Sequence, residues 1–250
     1  MKLSGKVAVV TGGSRGIGRA IALALAREGA AAVVNYVSAA AAAAEVVAAI
    51  RGVGGQAVEV QADVKDLSQH GRIVAAAQEH FGRLDILVNN AGMARRQLFL
   101  DATVEAWDEI IGVNLKGVYF LSQRAARLMV SQRSGKIVNI SSVHDTNPMA
   151  SNSIYCIAKS GMVMLTKSLA LELAEHGIQV NCVSPGAIAT DESKERLDDP
   201  AYRAKVLAKI PSRRIGTVDD VVGSVVLLAS SEADYVTGAT LYVDGGMLLH

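Results

Sequence analysis

The segment Tyr155-Cys156-Ile157-Ala158-Lys159 places a phenol and an ammonium four positions apart within a helical pattern. Residues at i and i+4 share one helix face, so the two groups project into the same space. A free phenol has a pKa near ~10, too high for an efficient base at neutral pH, and a neighbouring cation lowers it. Such a pair can take a proton from an alcohol or return one to an alkoxide. Taken alone, the Y-x-x-x-K spacing is more often that of a surface pair than of a catalytic one. A second cluster, Thr11-Gly12-Gly13-Ser14-Arg15-Gly16-Ile17-Gly18, joins a short apolar run to a helical pattern carrying Ala20, Ile21 and Leu25. Its glycines permit a tight turn with close backbone approach, and the helix start aims free N–H groups at a pyrophosphate. A ligand-free strand-to-helix turn would use the same residues.

These groups need a scaffold, and the periodicity supplies one. β-Branched runs over 6–11, 31–36, 57–61, 86–89, 135–141, 179–184 and 240–243 predict strands. Ala/Leu-rich patterns over 16–27, 39–51, 67–81, 113–132, 153–176 and 218–229 predict helices between them. Such alternation argues for an α/β fold of about seven parallel strands, doubly wound with helices on both faces. Runs such as Val7-Ala8-Val9-Val10 are continuously apolar, as expected for a strand covered on both sides. Trp107 and most methionines fall at helical spacing and read as core residues.

With 25 Lys+Arg against 24 Asp+Glu, the chain has no general attraction for nucleic acid or an anionic membrane. A small-molecule partner is expected instead. The 50% hydrophobic and 20% charged composition is that of an ordinary globular protein, and 4 prolines leave no linker, so residues 1–250 read as one domain. No stretch reads as a signal peptide or a membrane span, and Cys156 and Cys182 are too few for a disulfide framework. Cytoplasmic location with reduced, packed cysteines is the expectation.

The glycine spacing has the form T-G-x-x-x-G-x-G, and with the later motifs the chain resembles the short-chain dehydrogenase/reductase family over essentially all 250 residues. Ser142 stands thirteen residues before Tyr155, the family's spacing for the serine that hydrogen-bonds the substrate oxygen, whereas Ser141 is one residue out of register. Asn89-Asn90-Ala91-Gly92 matches the N-N-A-G turn beside the cofactor. Asn114 resembles the asparagine that holds the lysine through water, and Asp63-Val64 the position that meets the adenine. Pro185-Gly186-Ala187-Ile188-Ala189-Thr190 resembles the segment that contacts the nicotinamide carboxamide, and Asp244-Gly245-Gly246 completes the pattern.

The resemblance implies a Rossmann-type fold and hydride transfer between a nicotinamide and a secondary alcohol or ketone. Asn114, Ser142, Tyr155 and Lys159 would be catalytic. Gly12, Ser14, Arg15, Gly16, Ile17 and Gly18 would meet the cofactor phosphates, and Asn35, Tyr36, Ser38, Asp63 and Val64 its adenosine half. Asn90, Ala91, Gly92, Tyr155, Lys159, Pro185, Gly186, Ile188 and Thr190 would lie along the nicotinamide half. A sensor derived from the same fold should lack one catalytic residue, and none is missing. No acid follows 31–36 before Glu45, and Arg15 offers a cation, so NADP is expected at least as readily as NAD.

Among branches of the family, Ser141-Ser142-Val143-His144-Asp145 looks most like glucose 1-dehydrogenase, with Ser142, His144, Asn147 and Tyr155 toward a polyhydroxylated substrate. The competing branch is 3-oxoacyl-[acyl-carrier-protein] reductase, for which Arg95, Arg96, Arg124, Arg127 and Arg133 could form a basic surface. The charged stretch 187–203, with Asp191, Glu192, Lys194, Glu195 and Arg196, reads as a lid. Family members of this length imply a homotetramer through 113–132 and 153–176, supported here by Ala125, Ala126, Met162 and Leu169.

Overall fold

Strand β1 (Val7–Val10) is buried at every residue and serves two cores at once. Ala8 and Val10 pack into one apolar cluster, Val7 and Val9 into another, which is the two-residue alternation of a strand expressed across a fully covered sheet. Strands β2 (Ala31–Tyr36), β3 (Ala57–Gln61), β4 (Ile86–Asn89), β5 (Gly135–Ile140), β6 (Ile178–Pro185) and β9 (Thr240–Val243) complete a seven-stranded sheet. Its order is β3-β2-β1-β4-β5-β6-β9, and every pairing is parallel. The expected α/β architecture is therefore the one observed. This computed structural model describes residues 1–249, apart from the side chains of Glu192 and Lys194.

Helices α1 (Gly16–Arg27), α2 (Ala40–Gly52) and α9 (Val218–Ala229) cover one face through Ile21, Leu25, Val46, Ile50, Val221 and Val225. Helices α3 (His70–Phe81), α5 (Gly117–Gln132) and α6 (Ser153–Leu173) cover the other through Ile73, Ala77, Leu121, Ala125, Met129 and Ala170. Each large side chain fully removed from water contributes about 1.5–3 kcal/mol, so the two layers hold the sheet from both sides. Because the chain runs outward from β1 in both directions, the connections leave a crevice at the carboxyl ends of β1 and β4.

The expected strands match to within a residue or two and the helices to within four, the pattern over 113–132 beginning as a π segment and that over 153–176 ending in a 3-10 turn, with three further differences. Residues 67–69 form a 3-10 turn before α3. Between β6 and β9, α7 (Asp191–Asp198) and α8 (Pro200–Leu207) hang from a small parallel pair, β7 (Ile188–Ala189) and β8 (Gly216–Thr217). An unanticipated helix, α4 (Val104–Ile111), precedes α5, and Trp107 on it is 43% exposed rather than core. Only Ala106 and Ile110 of that short helix are buried, too little apolar periodicity to announce it.

Between α4 and α5 the residues Gly112–Lys116 form a π turn, closed by the Gly117 N–H donating to Gly112 O. Such turns cluster at functional sites. Here the wider turn brings α5 hard against the loop after β3: a methyl group on Gly117 would run into the carbonyl oxygen of Val64. Gly117→Ala is expected to destabilise the fold by about 1–3 kcal/mol, because a backbone oxygen cannot swing aside as a side chain would. That cost exceeds the ~1 kcal/mol that alanine gains in helix propensity. A urea titration measures it, and an unchanged midpoint would show that the contact relaxes freely.

Candidate active site

The turn after β1 is built to bring backbone close to backbone. A methyl group on Gly18 would strike Gly12 O and Asn90 Nδ2, so only glycine lets α1 begin directly above the turn. Thr11 Oγ1 accepts from Asn90 N and Ala91 N at 3.0 Å each, and Asn90 Nδ2 donates to Thr11 O at 2.9 Å and Gly12 O at 3.2 Å. These bonds lock the ends of β1 and β4 together. Thr11 and Asn90 thus shape the turn, a role for Thr11 that only its place beside Gly12 hinted at. No side chain caps the start of α1, and its first turn holds no acid, which leaves its amide donors suited to an anion.

Asn35 corrects an expectation. It is 1% exposed, its Nδ2 donates to Ala62 O at 2.9 Å, and Gly12 N donates to its Oδ1 at 3.4 Å. The amide therefore lies behind the glycine turn and supports it, with no polar atom left to meet a ligand. Ser38, beyond the end of β2, has an exposed side chain. Asp63 accepts from Lys65 N at 2.8 Å, and Val64 is buried. Thr190 caps α7, and its side chain lies 3.8 Å from where a methyl group on Gly16 would stand, so the start of α7 overhangs the phosphate turn. Gly186 N donates to Val243 O at 3.0 Å, tying the segment after β6 to β9.

Ser142, Tyr155, Lys159 and Asn114 converge next to this turn. Ser142 lies two residues beyond β5 in extended conformation, with its hydroxyl placed to pull the Tyr155 phenol down. Lys159 is 4% exposed; its Nζ donates to Ile140 O at 2.8 Å and lies 5.7 Å from the Tyr155 ring centroid. Ser141, out of register for chemistry, donates to Lys159 O at 3.2 Å and braces α6. Asn114 occupies the π turn, fully buried, with Nδ2 donating to Ile110 O at 2.9 Å and Met93 O at 2.8 Å. Gly92 lies across the group: a methyl there would stand 2.8 Å from Asn114 Oδ1 and 3.7 Å from Lys159 Nζ.

Burial decides the electrostatics. It pushes the Tyr155 phenol up, outweighing the Ser142 hydrogen bond that pulls it down, and it pushes the Lys159 ammonium down to about 8. Spacing alone leads one to expect a phenol lowered by the lysine; burial outweighs that pairing, because desolvation penalises both charged states.

Other sequence candidates separate. His144 Nδ1 bonds Asn147 O at 2.9 Å inside its own loop, while the Asn147 side chain is exposed. Arg95 pairs with Glu109 at 3.8 Å. Arg133 follows α5 at the opposite end of the sheet from Ser142, so it cannot share a basic surface with Arg95 and Arg96. Ala125, Ala126 and Met162 face inward at 0%, 6% and 0% exposure, and the outward faces of α5 and α6 carry Tyr119, Phe120, Ile157, Met164 and Leu171 instead. Helices α1, α7 and α8 and the start of α9 border a cleft of about 570 Å³ lined by Gly16, Arg19, Leu23, Thr190, Leu197 and Arg203. The lid residues Glu192 and Lys194 lie outside the described side chains.

A doubly wound sheet carrying this glycine turn and this serine–tyrosine–lysine–asparagine group defines a class of dinucleotide-dependent oxidoreductase. Residues 12–248 match the family described as Enoyl-(Acyl carrier protein) reductase. The chain is 42% identical over 248 residues to a 3-oxoacyl-[acyl-carrier-protein] reductase of Synechocystis sp., covering 99% of this chain and 98% of that protein. It is 43% identical to the L-rhamnose 1-dehydrogenase (NAD(P)(+)) of Azotobacter vinelandii, covering 100% and 99%. A crystal structure of a gluconate 5-dehydrogenase from Burkholderia cenocepacia, in complex with NADP and tartrate, superposes with TM-score 0.94 at 35% identity, covering 100% and 97%. The chain belongs to the short-chain dehydrogenase/reductase family and is an oxidoreductase acting on alcohol or carbonyl groups.

The buried lysine leaves a signature in stability. Its folded-state pKa, about 8, lies below the ordinary lysine value of 10.5. Across that interval the unfolded chain binds more protons, so this group makes stability rise with pH. The rise belongs between about pH 8 and pH 9, above which the buried Cys182 thiol, raised to about 11, and then the raised Tyr155 phenol oppose it. Denaturant titrations are expected to show a gain across this window in the wild type that is missing in Lys159→Met. Equal pH dependence in the two proteins would mean that the ammonium is not desolvated.

Proposed function

We propose that the protein is an NADP(H)-using dehydrogenase of polyhydroxylated substrates, with Tyr155 as the proton-exchanging group. The observation that carries this reading is the convergence of Ser142, Tyr155, Lys159 and Asn114 beside Gly92. Bound nicotinamide would supply or accept the hydride. Ser142 orients the substrate oxygen toward the Tyr155 phenol, which takes the alcohol proton or returns it to the alkoxide. Lys159 favours the phenolate once a ligand fills the crevice and adds positive charge, and Asn114 holds the lysine side of the proton path through a water. Removing water from this pocket strengthens each of these interactions.

The cofactor would lie across the ends of β1 and β4. Gly12, Ser14, Gly16, Ile17 and Gly18 would meet its phosphates, Tyr36, Ser38, Asp63 and Val64 its adenosine half, and Asn90, Ala91, Gly92, Pro185, Gly186, Ile188 and Thr190 its nicotinamide half. Asn35 supports the turn from behind. The absence of an acid after β2 and the exposed Arg15 favour a 2′-phosphate. The L-rhamnose and gluconate dehydrogenases among the relatives support the polyol reading. A 3-oxoacyl-[acyl-carrier-protein] reductase is the second reading, favoured by the Synechocystis relative. The scattered arginines give it no continuous basic mouth. Exposed Phe120, Ile157, Met164 and Leu171 on α5 and α6 support a homotetramer assembled through those helices. Two free, buried cysteines suit the cytoplasm.

Tyr155→Phe is expected to lower kcat by at least about a hundredfold, the scale of a lost proton-transfer group, while cofactor binding stays within a few-fold. A rate panel of L-rhamnose, glucose, gluconate and an acetoacetyl thioester, followed by cofactor absorbance, tests both assignments. Preference for the thioester would reverse the substrate ranking, and near-normal turnover by Tyr155→Phe would remove its role.

The cofactor assignment has its own measurement. Wild-type kcat/KM with NADP is expected to equal or exceed that with NAD, and Arg15→Ala should cut the NADP value selectively, by about tenfold or 1.4 kcal/mol. Equal losses with both cofactors would show that Arg15 does not read the 2′-phosphate.

A further inference from the structure

The turn that follows Ser142 carries a carboxylate that the proton transfer above does not use. Asp145 N donates to Ser142 O at 2.9 Å, and Ser160 Oγ donates to Asp145 O at 2.6 Å. Its main chain is therefore bonded both to the serine that meets Tyr155 and to the residue after Lys159. Its side chain reaches toward β6 and β9. Ser184 Oγ, on β6, donates to Oδ2; Thr146 Oγ1 and Tyr242 OH, on β9, donate to Oδ1 at 2.9 and 3.1 Å. Thr146 Oγ1 and Tyr242 OH stand 2.8 Å apart, so the two hydroxyls share their two protons between each other and Oδ1. Among the described residues no cation lies within ion-pair distance of Asp145, so hydroxyl dipoles alone hold it.

We propose that Asp145 is a positioning residue: clamped by hydroxyls from β6, β9 and its own turn, it seats the Ser142 turn against α6 and sets the field in which Tyr155 exchanges its proton. The ionisable groups around it are Tyr155 and Lys159 on α6, Cys182 on β6, Tyr242 on β9 and His144 in its own turn. Its negative charge raises both Tyr155 and Lys159. For the lysine this opposes the burial that would strip its proton, and for the tyrosine it adds to burial. The carboxylate thus keeps the ammonium charged at the expense of a less acidic phenol. Tyr242, 40% exposed on the edge strand, connects this balance to the C-terminal segment.

The inference rests on Tyr155 being the proton-exchanging group, which the turnover of Tyr155→Phe tests separately. Here the test is a titration of the protein with saturating NADP⁺, labelled with carbon-13 tyrosine and read by NMR, the Tyr155 signal being identified by its loss in Tyr155→Phe. Asp145→Asn keeps the size and one acceptor but removes the charge, so the Tyr155 midpoint is expected to fall by about half a pH unit or more. Tyr242→Phe removes a donor that screens the charge, so the midpoint is expected to rise. A structural role alone moves neither in this opposed way. An unmoved midpoint in either variant, or shifts of the same sign, overturns the proposal. If Asp145→Asn does not fold, Tyr242→Phe decides by itself: a rise supports Asp145, and a fall or no change removes it.

Discussion

The ammonium of Lys159 lies almost wholly out of water, and taking a charge out of water costs several kcal/mol unless polar groups surround it. Each of its partners arrives from a different part of the chain. Ile140 O sits at the end of β5 and the Tyr155 ring one turn earlier on α6, while Asn114, on the π turn, stands across Gly92 from the ammonium. A strand end, a long helix and an irregular turn must therefore agree in position, or the charge is stranded. The local features of the site follow from that requirement: the close packing at Gly117, the brace from Ser141, and the exact fit of glycine beneath Asn90.

Agreement on that scale needs rigid coupling between layers, and a buried polar chain supplies it. Asn89 Nδ2 donates to Ser122 Oγ and to Asn139 Oδ1, and Asn139 Nδ2 donates to Thr166 Oγ1, which in turn bonds Met162 O. β4, β5, α5 and α6 are thereby joined through hydrogen bonds instead of by apolar contact alone. Apolar packing tolerates sliding, whereas a satisfied buried network is correct in one arrangement and costly in every other. The network lies below the reactive groups and faces no crevice. Its residues looked like ordinary strand and helix polar residues in the sequence, because nothing in a linear pattern announces a partner fifty positions away.

What was legible in the sequence was whatever repeats or punctuates. The two-sided strands, the long Ala/Leu helices and the glycine turn declared themselves, and with them the sheet and the nearness of Tyr155 to Lys159. Directions of polar side chains were not legible. Asn35 reads as a ligand contact at the end of β2, yet its amide turns inward to Ala62 O. The Tyr155–Lys159 spacing predicts proximity correctly but mispredicts its electrostatic result, because burial is a property of the assembled layers. Ala125 and Met162 look like an association surface and are core, while aromatic Tyr119 and Phe120 face outward. Small apolar residues fit either side of a helix, so composition could not choose the face.

The π turn also resets the rotational phase of the chain. Before it, Ala106 and Ile110 of α4 pack on Ile154 at the start of α6; after it, Leu121, Ala125 and Met129 of α5 pack on the sheet. An uninterrupted helix advances about 100° per residue, because 3.6 residues complete a turn. The widened turn absorbs one extra residue, so two segments that run on as a single rod can address two different walls of the molecule. The spacing between Trp107 and Tyr119 is thus a quantised dimension of this enzyme. Side chains there can vary, but a one-residue insertion or deletion would rotate Asn114 away from Gly92 and turn an inward face of α4 or α5 toward solvent.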